Sequence, residues 1–183
     1  MNIFRTAPNL LTLLRISLAP FLVAALLHRQ FKLALLLFVI AGLTDGLDGL
    51  IAKVLHQQTT IGQYLDPIAD KLLLSTLFVV LTYLGLIPMT VTVLVLGRDV
   101  GILAVAAVLY TAAGMRDFHP GIFGKANTVA QILAVSMVLL GQIYPSSWIA
   151  MGATIALVAT IVLTIASSVQ YAWRVIRRPA ITG

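Results

Sequence analysis

The chain contains no cysteine and no glutamate, and only 10% of its 183 residues are charged. The absence of cysteine excludes disulfides, thiolate-ligated zinc and thiol nucleophiles. The shortage of charge excludes more. A soluble domain is about 45–50% apolar and about 25% charged, whereas this chain is 60% hydrophobic with a mean hydropathy of +1.04. A soluble enzyme does not fit that balance. Twelve Lys and Arg face six acids, all aspartate, for a net charge of +6. The basic residues are thinly spread near the ends of apolar runs, which is the pattern of membrane topology and not of a nucleic-acid surface. The apolar run Leu10–Leu27 has no small-residue cleavage site followed by a polar chain, so a cleaved signal peptide is not expected.

A helix needs about 20 mostly apolar residues to cross a bilayer. The runs Pro8–Leu27, Phe31–Leu55, Thr60–Leu86, Pro88–Ala113, Gly121–Ile143 and Ser147–Trp173 meet or approach that length. The sequence therefore predicts an all-α integral membrane protein with six transmembrane helices, in a single domain over residues 1–183. Met1–Ala7 is expected to form a short interfacial segment, with Phe4 inward and Arg5 outward. Breaks fall at His28-Arg29-Gln30, His56-Gln57-Gln58, Gly85 with Pro88, Gly114–Pro120 and Tyr144-Pro145. With the N terminus inside, the inner loops carry Arg5, Arg15, Lys53, Arg116, Lys125, Arg174, Arg177 and Arg178, against Arg29 and Lys32 outside. Both termini are thus expected in the cytoplasm. Trp148 and Trp173 stand near opposite ends of the last run, as interfacial aromatics do. The small size fits a bacterial inner membrane.

Ionisable residues within membrane spans are expensive and usually functional. Four of the six aspartates lie between Asp45 and Asp70. Asp45 and Asp48 are three residues apart at the end of the second run; Asp66 and Asp70 are four apart at the start of the third. Each pair shares a helix face, and a short turn around His56–Thr59 would bring the two helices together as antiparallel neighbours. Four carboxylates at such range repel one another unless cations hold them. Oxygen-only donors favour hard ions, Mg²⁺ or Mn²⁺. Two such ions about 3.5–4 Å apart suit phosphoryl chemistry. Gly46, Gly49 and Ala52 leave room for a ligand to approach the helix backbone. The plainer alternative is a structural cluster, with the glycines serving helix packing.

The pattern Asp45-x2-Asp48-Gly49-x2-Ala52-Lys53-x8-Gly62-x3-Asp66-x3-Asp70 resembles the signature of the CDP-alcohol phosphotransferases. Every fixed position matches except Lys53, where the family has arginine. Lysine keeps the charge but loses the planar fork that grips phosphate. The likeness extends to Asn9-Leu10-Leu11-Thr12-Leu13-Leu14-Arg15. The resemblance implies a six-helix membrane homodimer in which Asp45, Asp48, Asp66 and Asp70 hold two divalent metals. It implies that Asp70 also takes the acceptor hydroxyl proton, and that Asp48, Gly49, Ala52, Lys53 and Gly62 form the CDP site. The implied reaction is attack on the β-phosphorus of CDP-diacylglycerol with release of CMP.

Arg98, Arg116 and Lys125 are the candidate contacts for the acceptor anion. Arg98 lies well inside the fourth run beside Asp99, which is also its plain structural partner. Arg116 reads equally as a topology charge. Lys125 sits at a helix start, where phosphate binding is favourable. Phosphatidylglycerophosphate synthases, which take glycerol 3-phosphate, typically have Gly-Lys-x-Lys-Thr here. This chain has Asn127 at the second lysine. The stretches Leu86-Ile87-Pro88, Arg98-Asp99-Val100 and Lys125–Gln131 look more like the eukaryote-type cardiolipin synthases. The expected acceptor is therefore phosphatidylglycerol, with glycerol 3-phosphate as the alternative. A divalent-ion transporter is the reading from a different class.

Overall fold

The computed structural model describes the backbone of residues 7–55, 62–113 and 122–176, and the side chains of residues 17–44, 71–105 and 122–176. Among these residues it is all-helical: α1 (Ala7–Leu27), α2 (Phe31–Leu55), α3 (Gly62–Tyr83), α4 (Met89–Ala113), α5 (Ile122–Ile143) and α6 (Ser147–Ile176). The expected interfacial segment, apart from Ala7 at the start of α1, lies outside the described residues.

The helices are rich in Leu, Ile, Val and Ala, and a helix satisfies most of its backbone hydrogen bonds within the segment, which an apolar solvent requires. Two of the chain reversals share one device. Leu86 N–H donates to Leu81 C=O and Gly85 N–H to Thr82 C=O, both at 2.9 Å, with Gly85 at φ 73°. This is a Schellman cap, in which the left-handed residue is ordinarily glycine. It ends α3 at Tyr83, three residues short of the apolar run's end at Leu86. After α1, Gln30 N–H donates to Ala25 C=O and Arg29 N–H to Leu26 C=O, with Arg29 itself at φ 57°. At the other end of the bundle, α6 runs three residues past Trp173 to Ile176.

A core of Leu22, Leu26, Phe38, Leu77, Phe78, Leu81, Val95 and Leu139 joins α1 to α5. The surface inverts the soluble pattern. On α6, Ile155, Val158, Val162, Ile165 and Val169 form one exposed stripe, whereas Thr160, Thr164 and Ser167 on the opposite face are buried. Polar groups inside and branched aliphatics outside is the arrangement an apolar solvent selects. Among the described residues, α5 and α6 are each long and apolar enough to cross a membrane.

The closest packing is α5 on α6, followed by α1 on α2 and α3; α4 rests on α6 and α3, and α2 and α3 both touch α5. Thr82 and Thr92 share a hydrogen bond of 2.5 Å between α3 and α4. The direct α2–α3 pairing expected from the turn involves the joined ends of the two helices, residues 45–55 and 62–70, whose side chains lie outside the described residues. Among the described residues these helices share α1 and α5 as neighbours and flank a recess of about 310 Å³ lined by Phe38, Gly42, Leu73, Leu74, Thr128 and Ile132. The turn residues 56–61 lie outside the described residues.

Candidate active site

Asp45, Asp48, Gly49, Ala52 and Lys53 lie on the last turns of α2, and Gly62, Asp66 and Asp70 on the first turns of α3. Their side chains are outside the described set, so their placement is one of helical register. On α2 the buried residues Ala34, Phe38 and Ala41 form a stripe at steps of four and three. Continued at the same steps, that register reaches Asp45 and Asp48. On α3 the buried residues Leu73, Leu74, Leu77, Phe78 and Leu81 form a second stripe. Stepping back by three, four and seven from Leu73, Leu74 and Leu77 gives Asp70, and a further four gives Asp66. Both aspartate pairs therefore fall in the registers of the two faces that build one core. Thr44, just before Asp45, is back-bonded to its own helix, donating to Ala41 C=O at 2.8 Å and Ile40 C=O at 3.0 Å. Its hydroxyl proton is thus occupied within α2.

Next to the start of this register lies a charged cluster with full geometry. Lys71, which follows Asp70, places Nζ 3.0 Å from Asp99 Oδ2 and 3.2 Å from Oδ1. Arg98 Nη1 donates to Asp99 Oδ1 at 2.6 Å. Arg98 Nε donates to Ser167 Oγ on α6 at 3.1 Å, and Ser167 in turn donates to Thr164 C=O at 3.0 Å. Asp99 is 8% exposed and the Arg98 side chain 10%. Arg98 thus has the internal partner that its neighbour suggested, and its guanidinium also reaches α5. A methyl group added at Gly124 would stand 3.0 Å from Arg98 Nη2. Any side chain there would have to push the end of Arg98 aside by a few tenths of an ångström.

Lys125 follows Gly124 in the first turn of α5 and is exposed. Arg98 and Lys125 are therefore brought to the same end of α5. Arg116 lies outside the described residues. Arg98 also borders a groove of about 660 Å³ between α4 and α6, walled by Leu94, Ile102, Ile165 and Val169.

Sequence reasoning missed the polar layer beneath this cluster. Asn127 is wholly buried, and its Oδ1 accepts from Thr164 Oγ1 at 3.1 Å. Gln131, one turn on, is also wholly buried, and neither of its amide atoms has a hydrogen-bond partner among the described residues. Buried amides nearly always find partners, so Gln131 marks a second polar position inside the bundle. The signal available in the sequence was a 3-4 spacing of amides and hydroxyls, Asn127/Gln131 on α5 and Thr160/Thr164/Ser167 on α6. The Lys71–Asp99 pair gave no local signal, because its members are 28 residues apart.

Comparison with known proteins points the same way. The family model for CDP-alcohol phosphatidyltransferase matches residues 5–168. The chain is 37% identical over 157 residues to a cardiolipin synthase (CMP-forming) of Rattus norvegicus, covering 76% of this chain and 51% of the relative. It is 34% identical over 176 residues to a probable phosphatidylglycerophosphate synthase of Mycobacterium tuberculosis, covering 92% and 81%. It is also 34% identical over 149 residues to a CDP-diacylglycerol–glycerol-3-phosphate 3-phosphatidyltransferase of Bacillus subtilis, covering 73% and 76%. The chain spans about half the length of the rat and human cardiolipin synthases that it matches.

Proposed function

The chain belongs to the CDP-alcohol phosphatidyltransferase family, and from that premise we propose that it moves a phosphatidyl group from CDP-diacylglycerol to the hydroxyl of phosphatidylglycerol, forming cardiolipin and CMP. The observation that carries this reading is one of register: the spacing of the two aspartate pairs continues the buried stripes of α2 and α3. A family of transferases leaves no role for a divalent-ion carrier.

The reaction divides among this chain's residues as follows. The acceptor hydroxyl oxygen bonds to the β-phosphorus of the donor. The bond from that phosphorus to the bridging oxygen breaks, and CMP leaves with the electron pair. Asp70 takes the hydroxyl proton. Asp48, Gly49, Ala52, Lys53 and Gly62 seat the CDP moiety, with small residues where its backbone contacts must be close. Arg98 and Lys125, with Arg116, hold the acceptor's phosphate. Asp45, Asp48, Asp66 and Asp70 fit a divalent-metal pair, being oxygen donors of one charge at helical spacing with neither thiol nor imidazole among them. Mg²⁺ or Mn²⁺ bound there supplies charge neutralisation at the diphosphate.

Phosphatidylglycerol is favoured because Asn127, buried and bonded to Thr164, adds no cation to the layer. A phosphodiester needs less positive charge than the phosphomonoester of glycerol 3-phosphate. The second reading, glycerol 3-phosphate as acceptor, is favoured by coverage, since the chain spans 81% of the M. tuberculosis relative. In either case we take the protein to be a homodimer with six membrane spans, in a bacterial inner membrane, its termini and site on the cytoplasmic side.

The deciding experiment gives purified protein CDP-diacylglycerol with phosphatidylglycerol, glycerol 3-phosphate or inositol phosphate and identifies the lipid formed. Cardiolipin is the expected product. Phosphatidylglycerophosphate alone would move the assignment to the second reading.

A further inference from the structure

Asp99 is absent from the aspartate signature and is the one aspartate whose side chain falls among the described residues. It is 8% exposed and accepts from two cations on two helices: Lys71 Nζ of α3 at 3.0 Å and Arg98 Nη1 of α4 at 2.6 Å. A nearly buried carboxylate with one partner removed leaves an uncompensated charge, so both partners matter to its placement.

The two partners lead to different parts of the proposed reaction. Lys71 is the next residue after Asp70. Neighbouring side chains on a helix project about 100° apart. The tie from Lys71 to α4 therefore limits how far the start of α3 can turn about its own axis, and with it the register carrying Asp66 and Asp70. Arg98 is the acceptor anchor. Asp99 holds Nη1, Ser167 holds Nε, and Nη2 lies against Gly124. Among the described residues the cluster has two cations on one acid, and the surplus positive charge is what an anionic acceptor requires.

Resting on the function proposed above, we infer that Asp99 is a positioning residue that sets the acceptor anchor Arg98 and the aspartate-bearing helix α3 against each other. It contacts neither substrate. It acts by giving one rigid origin to two groups whose separation must suit a reaction between phosphate and hydroxyl.

The test dissects the two ties. Lys71→Met cuts the tie to α3 and is expected to lower kcat about tenfold while leaving the KM for the acceptor unchanged. Asp99→Asn cuts both, lowering kcat by a similar factor and raising the KM for the acceptor, with the KM for CDP-diacylglycerol unmoved. The double variant Lys71→Met/Asp99→Asn should lose no more kcat than Asp99→Asn alone, because coupled residues are non-additive. Asp99→Glu should recover part of both. Multiplying kcat losses in the double variant, or losses in Asp99→Asn that merely follow its melting temperature, would overturn the inference. Thermal unfolding of the wild type, the two single variants Lys71→Met and Asp99→Asn, and their double variant gives a readout free of turnover. Non-additive stabilities support the Lys71–Asp99 tie even if no acceptor is found, and additive ones overturn it.

Discussion

A charge held inside a greasy bundle is informative at the level of single atoms, because every neighbour must either neutralise it or accept a hydrogen bond from it. Arg98 shows the principle. Three of its nitrogens are placed, against Asp99, Ser167 and Gly124 on three helices. The last contact yields a prediction. In Gly124→Ala the new methyl group stands 3.0 Å from Nη2 and displaces the end of a long side chain and not backbone. Alanine's helix propensity offsets part of the strain. The expected result is a melting temperature near wild type with the KM for the acceptor raised about threefold, or about 0.7 kcal/mol. Equal kinetics would show that Nη2 does not face the acceptor. Lys53 gives a second prediction. Lys53→Arg restores a bidentate fork and is expected to lower the KM for CDP-diacylglycerol; an unchanged value would make the departure from the family pattern inconsequential.

At the scale of elements, chain reversals carry as much information as spans. Arg29 occupies at φ 57° the capping position that Gly85 fills after α3. A non-glycine residue there costs about 1 kcal/mol, so Arg29→Gly is expected to raise stability by about that amount in thermal unfolding. A lower melting temperature would mean that the Arg29 side chain contributes more than its backbone strain removes. Helix positions were legible from apolar runs and breakers, to within a few residues. The error at Leu86 has a clear cause. A Schellman cap uses an apolar residue just past the helix end to cover the last turn, so hydropathy continues after the helix has stopped. Which helices touch was not legible. Arg98 and Ser167 are 69 residues apart, and periodicity identifies a buried face without naming what buries it. The spacing of the aspartate pairs assigns each to one helix face, and the buried stripes of α2 and α3 continue into that register, while the aspartate side chains themselves lie outside the described residues.

For the whole molecule, polar groups between α5 and α6 and aliphatic side chains outside them describe a protein folded in an apolar solvent. The missing cysteine makes the proposed topology measurable without background labelling. Single substitutions Gln30→Cys and Ser146→Cys are expected to react with an impermeant maleimide from outside intact cells, and Thr182→Cys only after lysis. The opposite pattern would invert the proposed orientation. The central claim is that the aspartates of α2 and α3 perform the transfer, and release of CMP tests it most directly. Purified wild-type protein with CDP-diacylglycerol, phosphatidylglycerol and Mg²⁺ or Mn²⁺ should release CMP, and chelation should stop it. Asp66→Asn, with wild-type helicity and elution, should release none. Turnover retained in that variant would contradict the account.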